Sequence, residues 1–387
     1  MPLASPWRRG AVLLLLLITT TGLLACGRLS APLTPRVEAD NALQALDSGW
    51  YQNHIGMWKG TSAGWWQNAI SLSAVLDAYQ RTHDARDLAI IARVYRSNGQ
   101  VNHHAYVDYA SRGQNGYGVD DEGWWAWDWI RAWDLTGQTE YLRTAEGVFA
   151  NMASAWDTTC GGGVWWKVGQ HADNAKNAIS NELFLLVGAM LAQRVPGNPS
   201  YQSWAEKEAN WFLDSGLIAP DGLVNDTLTA VCGHSGGPTF TYNQGVLLPG
   251  LALLWQLSGN RRYLSAAERV ADAATQNLTA VGGVLADPCE RAHPTWCNSD
   301  AQEFKGIFVR GLWWLNALHP EAVWRRFLGT SLRTLWVRDR SPTNRFGFRW
   351  SGPAVTGKVT LETQSAATAA LTVTALSGRQ MRLVRKA

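Results

Sequence analysis

Two consecutive carboxylic acids, Asp120 and Asp121, follow a glycine turn and lead into a run of tryptophans: Gly116-Tyr117-Gly118-Val119-Asp120-Asp121-Glu122-Gly123-Trp124-Trp125-Ala126-Trp127-Asp128-Trp129. Acids at the start of a helix are favoured by its unsatisfied N–H groups and its dipole, so one reading of the pair is a helix cap. The chemical reading is stronger. Glycoside hydrolysis uses two carboxyl groups, one of which protonates the leaving oxygen. In retaining enzymes the second attacks the anomeric carbon, at a separation of about 5–5.5 Å that adjacent residues at a helix start can reach. Two close carboxylates also raise each other's proton affinity, so that one stays protonated as the acid.

The aromatic residues suit the same chemistry. The chain has 22 tryptophans among 387 residues. An indole offers a broad apolar face and one N–H donor, which matches the flat C–H face and hydroxyl rim of a pyranose. Trp124 and Trp125 beside the acids, and Trp165 and Trp166 after a glycine run, are candidate stacking platforms, with one of each pair expected in the core. Trp65, Trp66, Gln67 and Asn68 open one helical stretch, and Tyr242, Asn243 and Gln244 open another; both groups are candidates for sugar contact or for capping. Lys305 and Arg310 either face the cleft or pair inside the protein with Glu303 or Glu182. His103, His104 and His171 stand alone and read as structural or exposed.

These residues recur at matching places in a weak internal repeat. An apolar helical stretch is followed by a Gly or polar turn, then an amphipathic helix, then a Gly-rich segment. Ala126 to Gly137 matches Gly250 to Gly259, and Tyr141-Leu142 matches Tyr263-Leu264. Cys160-Gly161-Gly162-Gly163, Asp221-Gly222-Leu223-Val224 and Gly282-Gly283-Val284-Leu285 fill the third slot. First helices start near Trp65, Asp121, Ala178, Tyr242, Phe304 and Thr363, six units with a period of roughly 60 residues. Six hairpins closing on themselves make an all-α (α/α)6 toroid, with apolar first helices inside and more charged second helices outside. Val164-Trp165-Trp166 and Phe346 to Trp350 read as short β-hairpin strands in the cleft-side loops. An open helical solenoid is the rival arrangement.

Residues 1–25 have the pattern of an export signal: Arg8-Arg9, then the apolar run Ala11 to Leu24, too short for an ordinary spanning helix. Leu23-Leu24-Ala25-Cys26 resembles a bacterial lipobox, with Cys26 lipidated and residues 26–38 a tether to one domain over 39–387. The expected location is therefore outside the cytoplasm, on a membrane through the lipid anchor or, failing that, secreted. With Cys26 set aside, Cys160, Cys232, Cys289 and Cys297 form an even set, which in an exported protein favours disulfides. Three pairings exist; the short spacing favours Cys289 with Cys297, leaving Cys160 with Cys232. No close Cys pair supports zinc, and His234 and His293 stand in loop-like sequence, so no metal site is expected. The formal net charge is +3, and +1 without Arg8 and Arg9, with no basic stripe to suit nucleic acid. Nothing in the sequence requires more than a monomer.

Asp120-Asp121-Glu122-Gly123-Trp124-Trp125 resembles the signature of glycoside hydrolase family 76, the α-1,6-mannanases. Further similar segments follow in order: Cys160 to Trp166, Lys176 to Phe184, Thr241 to Gly245, and Phe304 to Arg310. The resemblance covers nearly the whole chain from about residue 40. It implies an (α/α)6 toroid, a retaining mechanism with Asp120 as nucleophile and Asp121 as general acid/base, and no cofactor. It also places Asp226 where a family aspartate holds sugar hydroxyls; from the residues alone an Asx turn explains Asp226 as well. The family includes fungal cell-wall relatives assigned transglycosylase activity. The expected substrate is α-mannan; the alternatives are a cell-envelope mannosyl transglycosylase and a non-catalytic glycan-binding lipoprotein. Paired acids count against mere binding. Toroidal epimerases and unsaturated-uronyl hydrolases would more naturally show catalytic His or separated acids.

Overall fold

The computed structural model describes residues 35–60, 64–99, 118–169, 175–233, 236–292, 297–353, 359–377 and 380, all within the compact unit Thr34–Ala387. The export segment, Cys26, Gly116, Tyr117, His103, His104, His171, His234 and His293 lie outside the described residues.

Six helices are almost wholly buried: α2 (Trp65–Thr82), α4 (Val119–Thr136), α6 (Ala178–Arg194), α8 (Thr241–Ser258), α11 (Phe304–Leu318) and α13 (Leu361–Thr374). Six others bury one face each: α1 (Pro35–Trp50), α3 (Ala85–Val94), α5 (Thr139–Ser154), α7 (Ser200–Asp214), α9 (Arg261–Asn277) and α12 (Ala322–Thr334). In α9 the buried set is Tyr263, Leu264, Ala267, Val270, Ala271, Ala273 and Ala274, a single apolar stripe flanked by charge. A short α10 spans Pro288–Ala292.

The buried helices pack in sequence order, α2 on α4, then α6, α8, α11 and α13, and α13 packs back on α2, closing an inner ring. Each later inner helix up to α11 packs on the outer helix that follows it, but α13 ends the series and packs on α1 from the other end of the domain. Closure of the toroid therefore uses the first helix as the last outer one. That helix begins at Pro35, inside the segment expected to be tether: proline suits a first helical turn, and Ala39, Ala42 and Leu46 on the next turns are buried. Glycine allows the tightest inner contact. A Cβ on Gly311 would lie 1.9 Å from the carbonyl oxygen of Gly245, so α8 and α11 touch backbone to backbone there.

Every described loop from an outer to an inner helix contains an antiparallel pairing. β1 (Tyr51–Gln52) pairs β2 (Met57–Trp58), and β3 (Thr279–Ala280) pairs β4 (Val284–Leu285). The other three loops hold single bridges, Trp156 with Val164, Ile218 with Val224 and Arg340 with Phe346. The segments expected as strands at 164–166 and 346–350 are thus reduced to one bridge each. Four of these turns are clipped by an amide at the fourth residue of the following inner helix. Asn68 Oδ1 accepts from Trp58 N at 2.7 Å, Asn181 Oδ1 from Val164 N at 2.7 Å, Gln244 Oε1 from Val224 N at 2.8 Å and Gln364 Oε1 from Phe346 N at 3.1 Å. A buried amide can accept from and donate to main chain at once, so it satisfies a loop that no sheet would satisfy.

Disulfides join Cys160 to Cys232 and Cys289 to Cys297. Arg310 and Lys305 pair inside the protein, with partners other than those expected. Arg310 binds Asp77 through two hydrogen bonds of 3.1 and 2.7 Å, and Asp77 also receives Arg131 at 2.5 Å. Lys305 binds Glu290 and the Phe348 carbonyl. Arginine meets a carboxylate as a two-pronged fork, which favours Asp77 over an acid near the helix start. Among the described residues no helix is long and apolar enough to cross a membrane.

Candidate active site

Inner helices run in one direction, so their N-termini and the paired loops gather at one end of the ring. Asp120 and Asp121 are the second and third residues of α4; the cap position belongs to Gly118, so neither aspartate is the helix cap. Asp120 is buried. Its Oδ1 accepts from the Asp121 N–H at 2.9 Å and from Trp166 Nε1 at 3.1 Å, and its Oδ2 accepts from Asn177 Nδ2 at 3.3 Å. Gly118 must be glycine for this contact to form: a Cβ would lie 2.0 Å from Trp166 Nε1 and 2.1 Å from Asp120 Oδ1. Asn177 caps α6 through Oδ1, which leaves its Nδ2 for Asp120.

The two carboxyl groups are held differently. Burial raises Asp120 to about 6, opposed by the hydrogen bonds from Asp121, Asn177 and Trp166, all of which favour the ionised form. Burial raises Asp121 well above the usual carboxylate range, and the charges of Asp120 and Asp300 raise it further. Burial thus raises both acids, while the hydrogen bonds to Asp120 favour its ionised form and the neighbouring charges favour the protonated form of Asp121.

The segment that carries Trp166 is held from behind. Lys176 Nζ, nearly buried, donates to Asp157 Oδ1 at 2.7 Å and to the carbonyls of Asp157, Thr159, Gly162 and Gly163 at 2.6–3.2 Å. Cys160 and the three glycines after it adopt positive φ, which lets those carbonyls converge on one ammonium. Beyond the turn, Val119 N donates to the Trp166 carbonyl at 2.7 Å, and Trp166 N donates to the Ala175 carbonyl at 2.8 Å. Lys176 thus anchors the turn, while its neighbour Asn177 touches Asp120.

Asp226 stands near Asp120, on the loop that pairs with Asn177 and Ala178. Its Oδ1 accepts from Tyr242 Oη at 3.1 Å and from Asn243 Nδ2 at 2.9 Å, and its carbonyl accepts from Ala178 N at 2.8 Å. Glu182 on α6 is fully buried with neither oxygen bonded; burial raises it well above the usual carboxylate range, and the Asp226 charge raises it further. Burial raises Tyr242 too, followed by the charges of Asp226 and Asp120, which places the phenol near both carboxylates. Tyr242 stacks on Phe304 with ring centroids 3.9 Å apart.

The remaining aromatic candidates divide. Trp66 stacks on Trp124 (centroids 5.8 Å, interplanar 25°), and Trp65 lies on Trp125 at 5.5 Å. Trp65, Trp66, Trp165 and Trp166 are half-buried, Trp124 keeps 4% of its surface, and Trp125 is fully enclosed. Trp125 as a stacking platform is corrected to core. Trp165 turns away from Asp120: its indole hydrogen-bonds Asp157, and Lys176 Nζ lies 5.1 Å from its ring centroid. Asn68 and Gln244 are also corrected. Both are buried and committed to main-chain groups, including the carbonyls of Gly64 and Phe240. Asn177 and Asp300 were not singled out from sequence; each lies in the few residues ahead of an inner helix, the one signal that marks them.

A profile of glycosyl hydrolase family 76 matches residues 36–384. The mannan endo-1,6-α-mannosidase DCW1 of Saccharomyces cerevisiae is 28% identical over 306 residues, 73% of this chain and 66% of the relative, so the chain spans just under two thirds of that protein's length. The structure of the GH76A α-1,6-mannanase from Salegentibacter sp. HEL1_6 is similar with a TM-score of 0.75 at 24% identity, over 88% of this chain and 99% of that one. An inactive variant of the same mannanase, with two consecutive aspartates replaced by asparagine and α-1,6-mannotriose bound, is similar with a TM-score of 0.74 at 24% identity, over 88% and 99%.

Proposed function

The chain belongs to glycosyl hydrolase family 76, and from that membership we propose that it is a retaining hydrolase of α-1,6-linked mannan with Asp120 as nucleophile and Asp121 as general acid/base. The observation that carries the assignment of roles is the unequal setting of the two acids. Asp120 accepts three hydrogen bonds that favour the carboxylate; Asp121 is buried beside two negative charges that favour the acid. The inactive mannanase variant with two consecutive aspartates replaced is consistent with this pair.

In the first step the Asp120 carboxylate bonds to the anomeric carbon as the glycosidic C–O bond breaks, and the leaving oxygen takes the proton of Asp121. In the second, the Asp121 carboxylate takes a proton from water as the water oxygen bonds to the same carbon and the ester to Asp120 breaks. Two inversions leave the α configuration retained. Asp226, held by Tyr242 and Asn243, accepts from hydroxyls of the sugar on Asp120, and the half-buried Trp66, backed by Trp124, offers a stacking face. An acceptor sugar in place of water would give transglycosylation by the same intermediate.

Export, with residues 1–25 removed and a lipid on Cys26, is part of the same proposal, as is action as a monomer. The test is to incubate the domain lacking residues 1–26 with linear α-1,6-mannan and follow products by chromatography, beside Asp120→Asn and Asp121→Asn. Short manno-oligosaccharides from the wild type alone are expected. Elongated products with added acceptor would move the assignment to transglycosylase, and cleavage that survives both substitutions would refute it.

A further inference from the structure

The two carboxylates of the pair face different neighbours. Asp120 is bound to Asn177 of α6 and lies beside Tyr242, on the Asp226 side. Asp121 faces the loop ahead of α11, where the charge of Asp300 acts on it. Asp300 is half-buried and fixed: Gln67 Nε2 donates to its Oδ1 at 2.8 Å, and Trp66 donates through its indole. The same Trp66 stacks on Trp124, which follows Asp121 by three residues on α4. Behind Asp300, Glu303 is fully buried near Ser365, and Glu362 of α13 stands beside it. Burial raises Glu303 well above the usual carboxylate range, and the charges of Glu362 and Asp300 raise it further.

We propose that Asp300 accepts hydroxyls of the sugar on the leaving-group side of the scissile bond, and so selects a mannosyl leaving group. The proposal rests on the hydrolase reading above. The acid must lie on the leaving oxygen, so a carboxylate beside Asp121, and away from the Asp120–Tyr242 side, meets the next sugar along the chain. A carboxylate accepts from vicinal hydroxyls while an adjacent indole covers a C–H face. Gln67 and Trp66 occupy part of Asp300 and hold it in one orientation, which lowers the ordering cost of binding. The charge has a second effect: it favours the protonated form of Asp121. The groups facing Asp121 are Asp120 and Glu122 of its own helix and Asp300; those facing Asp300 are Glu303 at the start of α11, Glu362 of α13, and Trp66 and Gln67 of α2.

Asp300→Asn, which can still accept from Gln67, and Asp300→Ala separate this from a merely structural role. Each is assayed on α-1,6-mannotetraose and on α-1,6-mannobiosyl fluoride, whose leaving group is not a sugar. For Asp300→Ala, kcat/KM on the tetraose is expected to fall about ten- to hundredfold, the loss of a charge-assisted contact, with less than about threefold on the fluoride. For Asp300→Asn, the alkaline limb of kcat/KM on the tetraose is expected to move to lower pH. Equal losses on both substrates, or an unchanged tetraose rate with an unmoved limb, would overturn the proposal. A wild-type protein that cleaves neither substrate would instead overturn the hydrolase reading.

Discussion

Trp166→Phe removes one N–H donor from Asp120 and keeps most of the aromatic volume. The bond is 3.1 Å long and ends on a buried carboxylate. A hydrogen bond to a charged group is worth about 1.5–3 kcal/mol. At 1.36 kcal/mol per pKa unit, losing it raises Asp120 by about 1–2 units. The wild-type group already sits at about 6 because burial opposes its hydrogen bonds. The acid limb of kcat/KM, which reports the free enzyme, is therefore expected to move up to between about 7 and 8. At pH 7 the ionised fraction would fall from about nine tenths to between about half and a tenth, a loss of roughly two- to tenfold that higher pH restores. Rates on α-1,6-mannotetraose across pH 4–9, with circular dichroism to confirm folding, measure this. Gly118→Ala provides the steric counterpart: its φ of −67° suits alanine, but the added Cβ displaces the same indole and the Asp120 carboxylate. It should lower activity at every pH. An acid limb that stays in place in Trp166→Phe would refute the view that this indole holds the nucleophile ionised.

Two further outcomes concern stability. Burial raises the fully buried Glu208 to about 8, so the folded state binds a proton that the unfolded state releases near 4. Its contribution is complete below about 4 and lost as pH rises through about 8, so melting temperature should fall from pH 5 to pH 8 and fall less in Glu208→Gln. Removing the Cys160–Cys232 disulfide, with a sequence separation of 72, should cost about 4 kcal/mol in denaturant unfolding, against about 2–3 for Cys289–Cys297, with a separation of 8. An equal cost for the two would refute the chain-entropy account.

Much of this molecule is local in origin and therefore legible in its sequence. The six inner helix starts fall within two residues of those read from the repeat, because an apolar helix between a polar turn and an amphipathic partner is a local pattern. The acid pair and the short-range Cys289–Cys297 pair belong to the same class, whereas Cys160 meets Cys232 across 72 residues. The ring itself decides the rest. A helix buried on every side carries no stripe to say which side faces the site, so Trp66 and Trp124 look alike in sequence, and only packing buries Trp124 while leaving Trp66 half-exposed. Asn68 and Gln244 look like sugar ligands until the loop ahead of each helix folds back onto the amide. Asn177 reaches Asp120 across 57 residues and Gln67 reaches Asp300 across 233; α1 covers α13 from the opposite end of the domain. The first joins neighbouring hairpins; the last two depend on closure of the toroid, a property of all six hairpins packed together that no single stretch of chain encodes.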